Sequence, residues 1–387
     1  MLKICVVHSN TGSRFYRVVP QLKYMQEQGH QVRLEKHDAP HLNQVVEWCD
    51  VLILQMVFNV DLARQARKLG KTVIFECDDL MHRTHAKHYA FEETKGFKNQ
   101  WKWFWRIFFM LRACDGLIVS NNELKRAYGW IARKTLVFGN YLDLPHWLKE
   151  NKKNHSDRIR ILWAGSTSHT GDLEWVKPIM QTILDKYPQV QFIYMGHGGV
   201  PTDDLYAKFV YGQDVFEGLP YERREALLPA PANVFPYILA SIGADIAIAP
   251  LERNHFNKFK TQCKYLEYAV NGIPGVYAEW FYTDVIDREL HGISNSLRAI
   301  GKKGTRGTGT TGLVADSPQE WIEALSLLIE NATLREQIGE EARKVAIRDY
   351  NFADHASAWQ GFVEKLSWHS QPLPSQLSAR KPDLNPA

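Results

Sequence analysis

The chain has 387 residues, 45% of them hydrophobic and 23% charged, with a formal net charge of +4. It is too long for one ordinary core, and its composition is that of a soluble globular protein, so two domains are expected rather than a disordered or membrane-embedded chain. The charge is uneven: residues 1–150 hold 22 Lys+Arg against 15 Asp+Glu, which makes the front half the basic one. That points to an anionic partner such as a phosphate-bearing acceptor, a nucleic acid or a membrane surface, or else to scattered surface charge. The five cysteines, Cys5, Cys49, Cys77, Cys114 and Cys263, form no CxxC pair, and most lie in apolar runs. Reduced thiols in a cytoplasmic protein fit this better than a disulfide framework. MLKICVV reads as a first strand, too short in apolar length for a signal peptide.

In chain order, LKICVVHS is a strand, FYRVVPQLKYMQEQGH a helix stopped by Gly29, and QVRLEKH a strand. VVEWCDVLILQMV carries another strand, DLARQARKLG is a helix, and KTVIFECDD is a strand. A long aromatic helical segment follows to Arg112, then DGLIVS (strand), NNELKRAYGW (helix) and KTLVFGN (strand). The polar stretch 144–158 reads as a linker. The alternation then restarts with RIRILWAGS, GDLEWVKPIMQTILDKYP and VQFIYMGH, continues through DVFEGL, FPYILASIG and ADIAIAPL, and closes in helices. Apolar strands alternating with helices of this length indicate βαβ units and parallel sheets. The expected fold is α/β, with two Rossmann-like doubly wound domains facing each other across a cleft. The first spans 1–145 and the second 156–350, with a helix at 354–368 packing back on the first domain and a disordered Pro/Ser-rich tail at 369–387.

Ligands of open α/β sheets bind beyond the carboxyl ends of the strands, which directs attention to four loops. In HSNTGSRFYR, Gly12 and Ser13 allow a tight turn before a helix, and Arg14 and Arg17 add charge; the loop reads as an anion or hydroxyl site or as an ordinary capped turn. In FECDDLMHRTHAKH, Asp78 and Asp79 end a strand, where they grip substrate hydroxyls or cap a helix. His82, His85 and His88 recur every third residue, but ligands from one direction do not make a metal site, and none is expected. In WAGSTSHTGDLEW, Gly165 is followed by Ser166, Thr167 and Ser168 before a helix opening near Asp172. Small residues there let backbone N–H groups approach a phosphate. In FNKFKTQCKYLEYAVNGIPGVYA, Lys260, Lys264, Glu267 and Asn271 share one helical face. Two lysines at a helix N-terminus, which carries about half a positive charge, are unfavourable unless an anion neutralises them. A diphosphate would, and Glu267 one turn further on would accept hydrogen bonds from a ribose.

These residues carry a resemblance. KYLEYAVNGIPGVYA is similar to the signature of the GT-B fold, family-four-type retaining glycosyltransferases from its second glutamate onward, with Glu267 in that role. TGLVADSPQEWIEALSLLIENATLREQIGEEAR, DGLIVSNNELKRAY and VFGNYLDLPHW resemble other segments of that family, so the likeness covers nearly the whole chain. The chain departs from the pattern at Phe259, which stands where the family's first, sugar-contacting glutamate would be, and at Ser166, which replaces an arginine.

The resemblance implies a glycosyltransferase that moves a sugar from a UDP-, GDP- or ADP-sugar to an acceptor hydroxyl with retention, without metal and with no tightly bound cofactor. The donor would meet Gly12, Ser13, Gly165, Ser166, Thr167, Ser168, Lys260, Lys264 and Glu267. Lys264, Glu267 and Asp79 would be catalytic, and Arg14, Arg17, Asp78 and His82 would face the acceptor. The acceptor is a glycan, a lipid-linked molecule or a nucleic-acid hydroxyl such as a modified DNA base. An epimerase or hydrolase of the same architecture, or a nucleotide-binding module without turnover, are the other readings. WKWFWRIFFMLR, residues 101–112, is too short to span a bilayer. It reads as a buried helix or as an interfacial one, peripheral on the inner membrane face. GKKGTRGTGTTG, residues 301–312, reads as a mobile basic insertion.

Overall fold

A computed structural model describes residues 1–9, 12–84, 91–149, 152, 154, 156–196, 214–286, 308–309 and 311–370. His85, His88, most of the 301–312 insertion and the tail from 371 lie outside the described residues.

The first sheet has six strands: β1 (Lys3–His8), β2 (Gln31–Lys36), β3 (Val51–Gln55), β4 (Thr72–Cys77), β5 (Gly116–Val119) and β6 (Thr135–Val137). Their order is β2-β1-β3-β4-β5-β6, and every pairing is parallel. β3 and β4 are continuous buried runs such as VLILQ and TVIFEC, as strands covered by helices on both faces must be. The second sheet contains β7 (Ile159–Ala164), β8 (Val190–Met195), β9 (Arg224–Leu227), β10 (Ile246–Ala249), β11 (Gly275–Ala278), β12 (Thr308–Gly309) and β13 (Gly312–Ala315). Its order is β12-β13-β11-β10-β7-β8-β9, parallel except for the β12–β13 pair. The order reverses between β1 and β3 in one sheet and between β7 and β10 in the other. Each reversal opens a crevice at the strand ends.

Two local expectations are corrected. Residues 214–219 form turns and no strand. Asp214 gathers the Phe216 N–H, the Tyr194 hydroxyl and the Arg224 guanidinium, and Gly218 sits at φ 95°, so the edge strand starts only at Arg224. The stretch from 144 is not a plain linker, because Leu144–Trp147 is a helical turn whose Trp147 is buried in the second domain's core.

The chain crosses between domains twice, side by side. The Leu142 N–H donates to the Tyr350 carbonyl (2.7 Å) and the Phe352 N–H to the Leu142 carbonyl (2.9 Å). The terminal helix Phe352–Ser370 then lies on the first domain, where Trp359, Val363 and Leu366 join Ile4, Val6 and Met25 in one core. Gly116 on β5 makes room for it, since a Cβ there would stand 2.5 Å from Leu366 Cδ1.

Each domain also inserts aromatic side chains into the other. The loop after β10 sends Phe256 and Phe259 into the first domain's core beside Leu124, Tyr128 and Ile131. Tyr16, from the helical turn Arg14–Arg17 after β1, enters the second domain's core and stacks on Trp147 at 5.3 Å. Asn121 Nδ2 donates to the Phe259 carbonyl (2.7 Å), and Asn140 Nδ2 donates to Thr261 Oγ1 (2.8 Å). Burying a Phe side chain stabilises by about 1.5–3 kcal/mol, so the two rings couple the domains. Phe256→Ala with Phe259→Ala should cost several kcal/mol, at about 3–5 per ring, and split thermal unfolding into two transitions by calorimetry. A single transition at the wild-type temperature would show that the rings do not couple the domains.

Candidate active site in the interdomain cleft

The two sheet reversals face each other, and a cavity of ≈ 360 Å³ lies between them. Gly12, Ser13, Tyr16, Asp78, Asp79 and Asn140 line it from the first domain. Gly165, Ser166, Ser168, His169, Lys260, Lys264 and Glu267 line it from the second. Four loops far apart in sequence therefore meet at one place. The side chain of Thr167 is not among those described; its backbone lies in the 3₁₀ turn Thr167–His169.

The helix that carries Lys264 begins at Cys263, not at Lys260. Lys260 sits before it in extended backbone (ψ 171°), so the two lysines do not share a helical face. Lys264 is buried, and its ammonium donates to the Ala164 carbonyl at the end of β7 and lies 4.9 Å over the Trp163 ring. Burial lowers its pKa to about 8; Glu267 pulls it up and Lys260 pushes it further down. Gly165 makes this possible, since a Cβ there would stand 2.6 Å from Lys264 Nζ and 2.5 Å from Trp163. Lys260 lies 5.1 Å over the Phe256 ring. Across the cleft, burial raises Asp79 to about 6, with the Lys260 charge opposing the shift and Asp78 adding to it.

Glu267 is half-buried, and its Oε1 accepts a hydrogen bond from the Tyr16 hydroxyl at 2.7 Å. Burial raises its pKa, while the Lys264 charge and the tyrosine hydroxyl hold it down. Asn271, on the same helical face, is turned inward; its Nδ2 donates to the Glu267 carbonyl (2.8 Å) and closes the helix end.

Sequence reasoning missed three residues here. Tyr16 and Asn140 left no local signal, because their importance lies in partners more than a hundred positions away. His169 did leave one. It stands three residues before Asp172, and its Nδ1 lies 2.6 Å from the Asp172 carboxylate, whose other oxygen accepts the Glu252 N–H (2.6 Å). The aspartate fixes the ring at the cavity wall.

Other expected site residues lie elsewhere. Arg17 is buried and spent on Glu76 (2.6 Å) and on the carbonyls of Phe138 and Gly139, because a guanidinium in a core must pair. Its acceptor role is therefore corrected to a structural one. His82 bonds the Tyr128 hydroxyl (2.9 Å), packs on Phe104 and does not line the cavity, so its acceptor role is corrected to a packing one; burial lowers its pKa to about 4. Arg14 lies over the neighbouring Phe15 ring and does not line the cavity. Among the described residues no group of three His, Cys, Asp or Glu side chains converges as metal ligands.

No family model and no curated protein sequence matches the chain. Solved structures do. Sucrose-phosphate synthase from Thermosynechococcus elongatus superposes with a TM-score of 0.62 at 10% identity, over 95% of this chain and 100% of that one. The catalytic domain of starch synthase IV from Arabidopsis thaliana, bound to ADP and acarbose, superposes with 0.59 at 10% identity, over 95% and 99%. A putative UDP-N-acetylglucosamine 2-epimerase from Listeria monocytogenes superposes with 0.53 at 10% identity, over 97% and 99%. The chain has the GT-B fold. Identities this low establish the architecture of the GT-B cleft and not what enters it.

The Lys264 ammonium gives the cleft a testable anion affinity. Pyrophosphate binding, followed by calorimetry, should weaken as pH rises through about 8, where the amine loses its proton. Gly165→Ala, whose Cβ would push Trp163 and the Lys264 ammonium aside, should weaken it by about 10–100-fold, the worth of one charged hydrogen bond. Affinity flat across this pH range and indifferent to the alanine would remove Lys264 from the anion site.

Proposed function

We propose that the cleft binds a nucleoside-diphosphate sugar and that the protein transfers the sugar to an acceptor hydroxyl. The observation that carries this is the buried Lys264 ammonium, held beside the glycine turn after β7 at the point where the second sheet reverses. A desolvated cation costs free energy unless an anion completes its surroundings. Backbone N–H groups of a tight turn and a helix start beside it suit a phosphate.

In this reading the diphosphate lies between Lys264, Lys260, His169 and the turn at Gly165–Ser168. Glu267, already oriented by Tyr16, receives the ribose. During transfer the bond from the anomeric carbon to the diphosphate breaks, and charge accumulates on the departing oxygens. Fixed cations and N–H donors aimed there stabilise that charge more than they stabilise the bound donor, which is what lowers a barrier. The two lysines supply the charge that a metal ion would bring, so the reaction needs none. The acceptor hydroxyl enters from the first domain, where the ionised Asp79 carboxylate positions it by accepting a hydrogen bond from a neighbouring acceptor hydroxyl. It forms the new bond on the face the diphosphate leaves, and its proton passes to the departing phosphate, which retains the configuration. The closed cleft keeps water from taking the sugar instead. Phe259 is withdrawn into the first domain's core, so no carboxylate from that position reads the donor sugar.

The shared fold of a putative epimerase supports one second reading, consumption of a nucleotide sugar without an acceptor. An acceptor panel separates the two, because a transferase needs the acceptor for fast turnover. Duplex DNA with a modified base belongs in that panel, given the basic front half, and activity on it should fall steeply with salt.

Lys264→Ala should lower donor turnover by about 10²–10³-fold, the usual effect of removing a group aimed at transition-state charge, and Glu267→Ala should weaken donor binding by about 10–100-fold, the worth of its charged hydrogen bonds to the ribose, with melting behaviour retained in both. Near-normal turnover in the first and near-normal donor binding in the second would refute the assignment. The acid limb of the rate profile should fall below about pH 6 as Asp79 takes a proton, and Asp79→Asn should abolish that limb.

A further inference from the structure

We propose that the helix Phe97–Ala113 docks the first domain on an anionic lipid surface. Its inner face is ordinary core, with Ile107, Met110 and Leu111 buried. Its outer face is not. Phe97, Trp101, Trp105 and Phe109 are 79%, 51%, 38% and 47% exposed, and they recur every fourth residue along one stripe. Trp130, 67% exposed, joins this ridge through Phe104 at 6.5 Å.

The flanks of the ridge are basic. Lys98, Lys102 and Arg112 are exposed on the same helix, which contains no acidic residue. Lys125, Arg126, Arg133 and Lys134 line the hollow around Trp130. Among the described residues, Glu123 is paired with Arg126, the exposed Glu93 lies before the helix, and the exposed Asp61, on the helix packed against it, is paired with Arg64 (3.8 Å). Aromatic rings on one side with lysines beside them form the pattern of a helix lying in a bilayer interface. Indole rings sit at headgroup level there, and basic side chains meet anionic lipid. Among the described residues no helix is long and apolar enough to cross a membrane.

Charge decides against a second copy of the chain on this face, since a symmetric partner would bring the same basic rim against its own. Ring packing decides against nucleic acid. Phe97 stacks on Trp101 (5.9 Å), Trp101 meets Trp105 edge-on (5.7 Å) and Trp105 stacks on Phe109 (5.8 Å), so successive rings are already paired and leave no slot for a base between them. This surface lies outside the cleft, and the proposal does not depend on the transfer reaction.

The test is co-sedimentation of the full chain with vesicles of mixed phosphatidylcholine and phosphatidylglycerol, and with pure phosphatidylcholine. Binding to the anionic vesicles is expected, weakened by salt and weaker still on the neutral ones. Trp101→Ser with Trp105→Ser should reduce it by at least about tenfold, and Lys98→Glu with Lys102→Glu should remove the preference for anionic lipid, at roughly fivefold per charge lost. All four positions are solvent-exposed, so melting temperature should stay put. The proposal is overturned if the wild-type chain ignores both vesicles, if the tryptophan variant binds as well as wild type, or if the same substitutions instead dissolve a dimer in sedimentation velocity or abolish binding to single-stranded DNA.

Discussion

The reciprocal exchange of aromatic side chains between the domains is the constraint on which the cleft depends. Phe256 and Phe259 leave the second domain to complete the first domain's core, and Tyr16 does the reverse. Rings committed to the opposite core cannot be withdrawn without exposing both ring and hole. They therefore fix the separation at which Asp79 and Lys260 face one another across the cleft. The polar contacts between domains are placed by this exchange. Tyr16 reaches Glu267 only because its ring is seated on Trp147, and Asn121 reaches the Phe259 carbonyl only because that ring is seated by Leu124 and Tyr128. The cavity is lined from both domains, and its second-domain carboxylate, Glu267, is held in place by the first domain's Tyr16.

The electrostatics follow from that closure. Two lysines near a helix start conflict with its dipole and with each other. The structure lessens the conflict by moving Lys260 off the helix and by giving Lys264 the carbonyl at the end of β7 and the face of Trp163. It does not remove it, and Lys264 remains a buried cation with a lowered pKa. Glu267 is shifted the opposite way by the same burial. Opposed shifts in adjacent groups within one cavity are the pattern expected where a charged ligand completes the site.

Much of this was legible in the chain. The alternation of apolar strands and helices foretold two parallel sheets, and turn residues after strand ends led to Gly12, Asp79 and Gly165, because sheet reversals place ligands there. The failures share one cause. Arg17, read as a free charge, is a core ion pair. His82, read as a polar contact, is a packing residue. Tyr16, passed over as part of a helix, is the residue that holds Glu267. In each case the deciding partner is distant in sequence: Glu76, Tyr128 and Glu267 respectively. Local pattern finds the positions where the backbone turns, whereas side-chain roles depend on what the fold brings alongside. Phe259 shows this best. It marks a departure from the resembling signature, and its meaning as a domain anchor appears only when the first domain's core is in view.

The central claim is that a nucleoside diphosphate completes the cavity around Lys264. Hydrogen–deuterium exchange of the full chain with and without UDP, GDP or ADP tests it most directly. The account predicts that at least one of them slows exchange at 164–170 and 260–267 together, and at Tyr16 through its bond to Glu267. Protection absent from all three segments, or confined to some other part of the chain, would contradict it.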